Sequence, residues 1–266
     1  AFTRLDEVRR RRPLIHSISN IVSANDCANL VLAAGASPIM ACAEEELADI
    51  AAAASAAVLN TGTPDRARFA VCRRCGQEAA RLGRPVILDP VGVGASPWRL
   101  GQVEALLESF PAAIVRVNLG EARALAGDGR GGHGVDSPGP APLEERAETA
   151  RALAKRRRTV VLLSGPEDLV TDGGDVWQVG GGSPLMASVT GTGCMLSALC
   201  GVFAAVEPEP LRAALLASAF WKACARQAAR QAGERGPGSF RTALLDAAGT
   251  LGPGALSRET GVERLG

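Results

Sequence analysis

The chain of 266 residues is long enough to bury the core of one large α/β domain, and 47% of its residues are hydrophobic. No apolar run reaches the ~20 residues that a membrane-spanning helix needs, so no such span is expected. A net charge of +1 offers no broad field for nucleic acid.

Ala1 to Pro13 carries the run Arg9 to Arg12 with no apolar segment after it, so no secretory signal is expected. That run and Lys155 to Arg158 read as solvated helix faces. Leu14 to Ser19 predicts a strand, Asn20-Ile-Val-Ser-Ala-Asn25 a loop, and Ala24 to Ala34 a helix closed by Gly35. Ser37 to Ala41 predicts the next strand. Glu44 to Ala54 predicts a helix with Glu44, Glu45 and Glu46 in its first turn, where the dipole favours acids.

Ala56 to Asn60 reads as a strand running into Thr61-Gly62-Thr63, and Pro64 opens a helix to Leu82. Three further apolar strands follow, Pro85 to Leu88, Ala113 to Val117 and Thr159 to Leu163. They end in Asp89-Pro90-Val91-Gly92-Val93-Gly94, Asn118-Leu-Gly-Glu121 and Ser164-Gly165. Gly127 to Pro142 reads as a surface excursion and Val170 to Val179 as an antiparallel hairpin at the sheet edge. Short apolar runs alternating with helices predict a mostly parallel, doubly wound sheet with helices on both faces, in a single domain spanning 1–266. In such sheets polar residues at the strand ends mark the ligand site.

The seven cysteines are odd in number and scattered through helix-like and core-like segments, which predicts reduced thiols and a cytoplasmic setting. Cys72-x-x-Cys75 has neither a second cysteine pair nor a histidine pair near it. It reads as two helix-face thiols rather than a zinc site.

The segment Val189-Thr190-Gly191-Thr192-Gly193-Cys194 sits where a Gly-rich loop, Gly180 to Pro184, gives way to a buried helix from Met195 to Ala205. The first amides of a helix have no partner inside it and carry the positive end of the dipole, which makes an anion hole suited to phosphate. Cys194 falls in that first turn, where the same field is expected to lower its pKa. Lys155 and Lys222 are the only lysines, and no G-x-x-x-x-G-K-[ST] occurs, so phosphate falls to arginine, backbone amides or metal.

Asp89 and Glu121 are strand-end carboxylates fit to hold Mg²⁺ directly or through water, with Asn118 able to share that work. Arg116 is the one charge in its apolar strand and is expected to face the site mouth. Ser164 adds a hydroxyl. The local alternatives stay open: Asp89 capping a turn, Arg116 in a structural ion pair, Ser164 as a turn residue, Cys194 as a packed thiol.

The sequence resembles the hydroxyethylthiazole kinase family of the ribokinase-like superfamily. The likeness rests on Pro13-Leu-Ile-His16, Asn20, Ala28-Asn29, Ala34-Gly-Ala-Ser-Pro-Ile-Met40, the acidic run at Glu44 and Leu59-Asn-Thr-Gly62. It continues through Leu88-Asp-Pro-Val-Gly92, Asn118-Leu-Gly-Glu121, Gly134-Val-Asp-Ser137, Val189 to Cys194 and Gly236-Pro-Gly-Ser-Phe240. The resemblance implies a ribokinase-like fold and ATP-dependent phosphorylation of the primary alcohol of 4-methyl-5-(2-hydroxyethyl)thiazole, serving thiamine synthesis by salvage. It implies Met40 and Gly191 as substrate contacts, Arg116 and Ser164 as ATP contacts, Cys194 as the catalytic residue, and a trimer binding thiazole at the subunit boundary. Val117 stands where the family usually has glycine, Ser164 where it has threonine, and Pro166 where a charged residue is common.

Three rival functions are weighed. One is a ribokinase-fold ADP- or ATP-dependent dehydratase of hydrated nicotinamide nucleotides, a class that carries aspartate where Cys194 stands. Another is a thiol hydrolase pairing Cys194 with His16 or His133, although neither histidine comes with an evident orienting carboxylate. The third is a non-catalytic nucleotide-binding module.

Overall fold

The computed structural model describes residues 3–127 and 141–265. The elements run α1 (Thr3–Arg11), β1 (Leu14–Ile18), α2 (Ala24–Ala34), β2 (Ser37–Ile39), α3 (Leu47–Ala53), β3 (Ala56–Asn60) and α4 (Arg66–Arg81). They continue with β4 (Val86–Asp89), α5 (Pro97–Ser109), β5 (Ile114–Val117), α6 (Leu119–Ala126), α7 (Leu143–Arg157), β6 (Val160–Leu163), β7 (Asp168–Thr171) and β8 (Val176–Val179). The chain closes with α8 (Thr192–Ala204), α9 (Pro210–Ala232), α10 (Pro237–Thr250), α11 (Pro253–Glu259) and β9 (Val262–Arg264).

The nine strands of the described residues form one sheet in the order β2-β1-β3-β4-β5-β6-β7-β8-β9. The first six in that order pair in parallel, while β7, β8 and β9 join antiparallel. The expected α/β sheet with helices on both faces is therefore present. The parallel strands are mostly apolar because helices cover both of their faces; the exceptions include His16 and Ser17 on β1 and Asn60, Asp89 and Arg116 near the strand ends. Helices α1, α2 and α8 to α11 pack on one face, and α3 to α7 on the other.

Successive side chains on a strand point to opposite faces, and this alternation positions the site. Val58, Ile87, Ile114 and Leu162 belong to the core under α8. Their neighbours Leu59, Leu88, Val115 and Leu163 belong to the opposite core. Two residues on from the first set stand Asn60, Asp89, Arg116 and Ser164. The strand period thus brings all four to the α8 face at the carboxyl ends of four adjacent parallel strands.

Several expectations are corrected. The acidic run Glu44–Glu46 is a 3₁₀ turn rather than the first turn of an α-helix. The second strand ends at Ile39, leaving Met40 just beyond it. The Val170 to Val179 hairpin forms but does not lie at the edge, because β9 pairs on its outer side. Arg9 is not simply solvated: it donates to the carbonyls of Ala248 (3.4 Å) and Leu251 (2.8 Å) and so caps the end of α10. His133, the Gly134 to Ser137 segment and most of the Gly127 to Pro142 excursion lie outside the described residues.

Candidate active site

Asp89 is fully buried at the end of β4. Its Oδ2 accepts from Asn60 Nδ2 and from the Ser197 hydroxyl, both at 2.8 Å, and its Oδ1 faces Arg116 Nη1 at 3.5 Å. Arg116 Nη2 donates to Ser164 Oγ at 2.6 Å, and that hydroxyl donates on to the Val117 carbonyl at 3.3 Å. Among the described residues Arg116 Nε has no partner. The ion pair left open from sequence is therefore present, and it lies inside the row of strand-end groups rather than apart from it.

Helix α8 begins directly above this row. Gly191 is its N-cap at φ 82°, a left-handed conformation that suits glycine. The first intrahelical bond runs from Met195 N to the Gly191 carbonyl at 2.8 Å, so the amides of Thr192, Gly193 and Cys194 face out of the helix end. A Cβ on Gly193 would stand 2.5 Å from Arg116 Nη2, so only a glycine lets the guanidinium press against the anion hole.

Cys194 is half-buried in that first turn. Burial, and then the Asp89 carboxylate, push its thiol above the ordinary value, which corrects the expectation that the helix field would lower it. Its sulfur accepts from Asn20 Nδ2 at 3.4 Å. The amide of Asn20 has one possible orientation: its Oδ1 accepts from the amides of Val22 (2.9 Å) and Ser23 (3.0 Å). Its two N–H groups go to Cys194 and to Asn60 Oδ1 (2.9 Å). Asn20 and Asn60 therefore link the thiol to the Asp89 carboxylate through consecutive hydrogen bonds.

Glu121 lies at the start of α6, buried. Its Oε2 accepts from Asn118 N (2.9 Å) while Asn118 Oδ1 accepts from Glu121 N (2.9 Å), a capping box. Its Oε1 accepts from Gly92 N at 2.8 Å. The Asn118 side chain, expected to share in metal binding, is thus engaged as a helix cap.

Burial pushes Asp89 and Glu121 up; Arg116 opposes this for both, and Asp89 raises Glu121 further. In these two buried carboxylates, which share one guanidinium, burial disfavours the ionised form of each, and Asp89 adds to that cost for Glu121, a cost that a bound cation would relieve. With all-oxygen donors this is a set a hard divalent cation suits. Each oxygen already accepts a protein donor or faces Arg116, so the fit is through bridging water rather than direct ligation of every oxygen. Among the described residues no group of three or more His, Cys, Asp or Glu forms a ready metal cage.

Met40 is half-buried and packs against the α8-side core at the end of β2, one of the two outer strands of the sheet. His16 lies on the opposite face from Cys194. Its Nε2 donates to the Ala41 carbonyl (2.9 Å), and its Nδ1 is left to accept from Cys75 Sγ (3.3 Å). Cys194 and His16 do not meet, which removes His16 from the hydrolase reading.

The sequence reading gave no role to Asn60, Ser197 or Lys222. Asn60 was accessible to it: strand alternation puts Asn60 beside Asp89, its register partner on β4. Ser197 follows Gly193 by four on α8, one turn on the same side.

A profile of the hydroxyethylthiazole kinase family matches residues 5–253. A hydroxyethylthiazole kinase of Methanoculleus marisnigri is 44% identical over 259 residues, covering 97% of this chain and 91% of its own. One from Nitratidesulfovibrio vulgaris is 47% identical over 239 residues, covering 90% and 88%. Among solved structures, the hydroxyethylthiazole kinase protein of Pyrococcus horikoshii superposes with a TM-score of 0.91 at 36% identity, covering 100% of this chain and 98% of that one. A pyridoxal kinase of Staphylococcus aureus, at TM-score 0.59 and 19% identity over 80% of this chain and 87% of its own, shares the fold alone.

Proposed function

The chain belongs to the hydroxyethylthiazole kinase family, and from that premise we propose that it transfers the γ-phosphoryl group of ATP to the primary alcohol of 4-methyl-5-(2-hydroxyethyl)thiazole. The product serves thiamine synthesis by salvage, in the cytoplasm. The observation that carries the reading is the placing of Asp89 and Arg116 beneath the amino end of α8, with Cys194 joined to Asp89 through Asn20 and Asn60.

Phosphoryl transfer asks for in-line placement and charge neutralisation more than for covalent help. The outward amides of Thr192, Gly193 and Cys194 offer donors to the transferred group. Arg116 lies against the same glycine, and with Ser164 it is the proposed ATP contact. Gly191 borders the substrate and keeps its backbone close to Ser23, whose Cβ a side chain there would meet at 2.9 Å. Asp89 and Glu121 would hold Mg²⁺ through water, and the ion would neutralise charge on the phosphates. Cys194 would face the attacking hydroxyl; with its pKa raised by burial it serves chiefly to position the alcohol, and only its minor thiolate form could take the alcohol's proton.

Met40, polarisable and at an outer strand, suits a small apolar ring shared with a neighbouring subunit. With six Phe, three Trp and no Tyr in the chain, a one-subunit aromatic cage is hard to build, which supports a ring site shared between subunits; that the assembly is a trimer rests on the family resemblance. Nothing in the site favours the dehydratase, a class with aspartate at the Cys194 position. The test is ADP release on adding the thiazole alcohol to enzyme, ATP and Mg²⁺. Release without the alcohol, or none with it, sinks the proposal.

A further inference from the structure

Helix α9 carries one charged residue between Ala213 and Ala225, Lys222, and that residue is buried. A buried ammonium must place all three of its donors. Lys222 Nζ donates to the Gly165 carbonyl (2.7 Å), the Pro166 carbonyl (2.8 Å) and Asp168 Oδ1 (3.0 Å), so the three donors meet three acceptors. Asp168 is held in turn. Its Oδ1 also accepts from Gly165 N (3.0 Å), and its Oδ2 accepts from Ser218, one turn before Lys222, at 2.8 Å. The stem of Lys222 is fixed as well, since a Cβ on Gly182 would stand 2.9 Å from its Cδ.

The preceding residue, Trp221, is buried, and its Nε1 donates to the Thr192 carbonyl at 3.1 Å. Two adjacent residues of α9 therefore grip the two segments on which the phosphate chemistry depends. Trp221 holds the start of α8, and Lys222 holds the loop that follows Ser164. Buried ion pairs contribute little net stability compared with apolar packing. What this one secures is geometry.

We infer that Lys222 is a positioning residue: it fastens the Ser164–Asp168 loop to α9 and so fixes where the nucleotide lies relative to the anion hole. The inference rests on reading Ser164 and Arg116 as nucleotide contacts. Lys222 does not itself touch phosphate, because its three donors are already engaged. Its role is to keep the Gly165 and Pro166 carbonyls turned inward and the Ser164 hydroxyl against Arg116. Misplacement on the scale of 1 Å at such a site is enough to cost about 10²-fold in rate.

The test compares Lys222→Met with Ser164→Ala in the full-length protein. Binding of ADP and of a non-hydrolysable ATP analogue is read by calorimetry, alongside the KM for each substrate. Lys222→Met is expected to weaken nucleotide binding by at least about tenfold while the KM for the thiazole alcohol stays within about twofold. The double variant Asp168→Asn/Lys222→Met leaves no unpaired buried charge, and it is read by the same criteria if the single variant does not fold. Wild-type nucleotide affinity in a folded Lys222 variant, or an equal loss for both substrates, overturns the inference. If Ser164→Ala weakens nucleotide binding and Lys222→Met does not, the fastening alone is wrong. If Ser164→Ala binds nucleotide normally, the reading of Ser164 is wrong, and Lys222 is then judged on its own nucleotide affinity.

Discussion

The Asn20 amide leaves the Cys194 sulfur one role, that of acceptor toward Asn20. The thiol proton is thereby directed away from Asn20. Burial and Asp89 keep the proton on sulfur at neutral pH, because both disfavour the thiolate. If the thiolate accepts the substrate proton, kcat at saturating ATP climbs with pH along a thiol limb above the ordinary range. Cys194→Ser removes that acceptor and is expected to lower kcat about 10²-fold with little change in ATP binding. Cys194→Asp installs a carboxyl, whose ordinary pKa lies far below that of a thiol, so kcat at neutral pH is expected to be retained or raised and the alkaline limb to flatten. Rate profiles of the three proteins from about pH 6 to 9 decide the matter. A Cys194→Ala variant turning over at the wild-type rate would reduce Cys194 to a packed thiol.

At the scale of elements, the start of α6 performs two tasks with one side chain. Glu121 closes the capping box with Asn118 and receives the Gly92 amide, yet it is also the proposed second carboxylate toward Mg²⁺. Glu121→Gln keeps one acceptor oxygen but turns an NH₂ group toward a backbone N–H. It is expected to cost about 1–3 kcal/mol of stability, as a buried donor left unmet does, and to raise the Mg²⁺ concentration needed for turnover. Urea unfolding without nucleotide measures the first effect, and rate against Mg²⁺ the second. Unchanged turnover at limiting Mg²⁺ removes Glu121 from the metal proposal and leaves it as a cap. The sequence signals Asn-x-x-Glu equally well as cap or as metal pair, because the same oxygens serve either role. Only the distances to Asn118 N and Gly92 N show that the cap is made.

Over the whole molecule, the parallel strands were legible because burial on both faces makes them predominantly apolar runs, and the polar residues near their ends marked Asp89, Arg116 and Ser164. Strand β9 was not legible: Val262–Arg264 is three exposed residues with no alternation to read, joined to the sheet only by pairing with β8. Lys222 was visible as a rare residue, but its acceptors lie more than fifty positions away in the chain, and one sequence carries no trace of that pairing. The direction of the Cys194 shift was missed for a similar reason. Helix-end chemistry is local, whereas the burial that outweighs it is produced by the packed fold.

The same packing gives the molecule a distinctive response to alkali. Cys27, Cys72, Cys75, Cys200 and Cys224 are buried, and burial pushes each thiol up, Cys72 and Cys75 to about 12. In the unfolded chain these thiols lose their protons near pH 8.5, while the folded chain keeps them well beyond it. Above that pH the unfolded state binds fewer protons, so stability falls as pH rises, by up to about 1.4 kcal/mol per pH unit for each thiol. Below it the contribution is complete. The chain has no tyrosine and only two lysines, so few other groups titrate in this window. The urea midpoint is therefore expected to stay level from neutral pH to about 8.5 and then to fall steeply. Replacing Cys72 and Cys224 together by alanine lowers stability at neutral pH by opening small cavities, yet makes the alkaline decline shallower by the share of two thiols. A double variant that declines as steeply as the parent would show that groups other than the buried thiols set the alkaline limit.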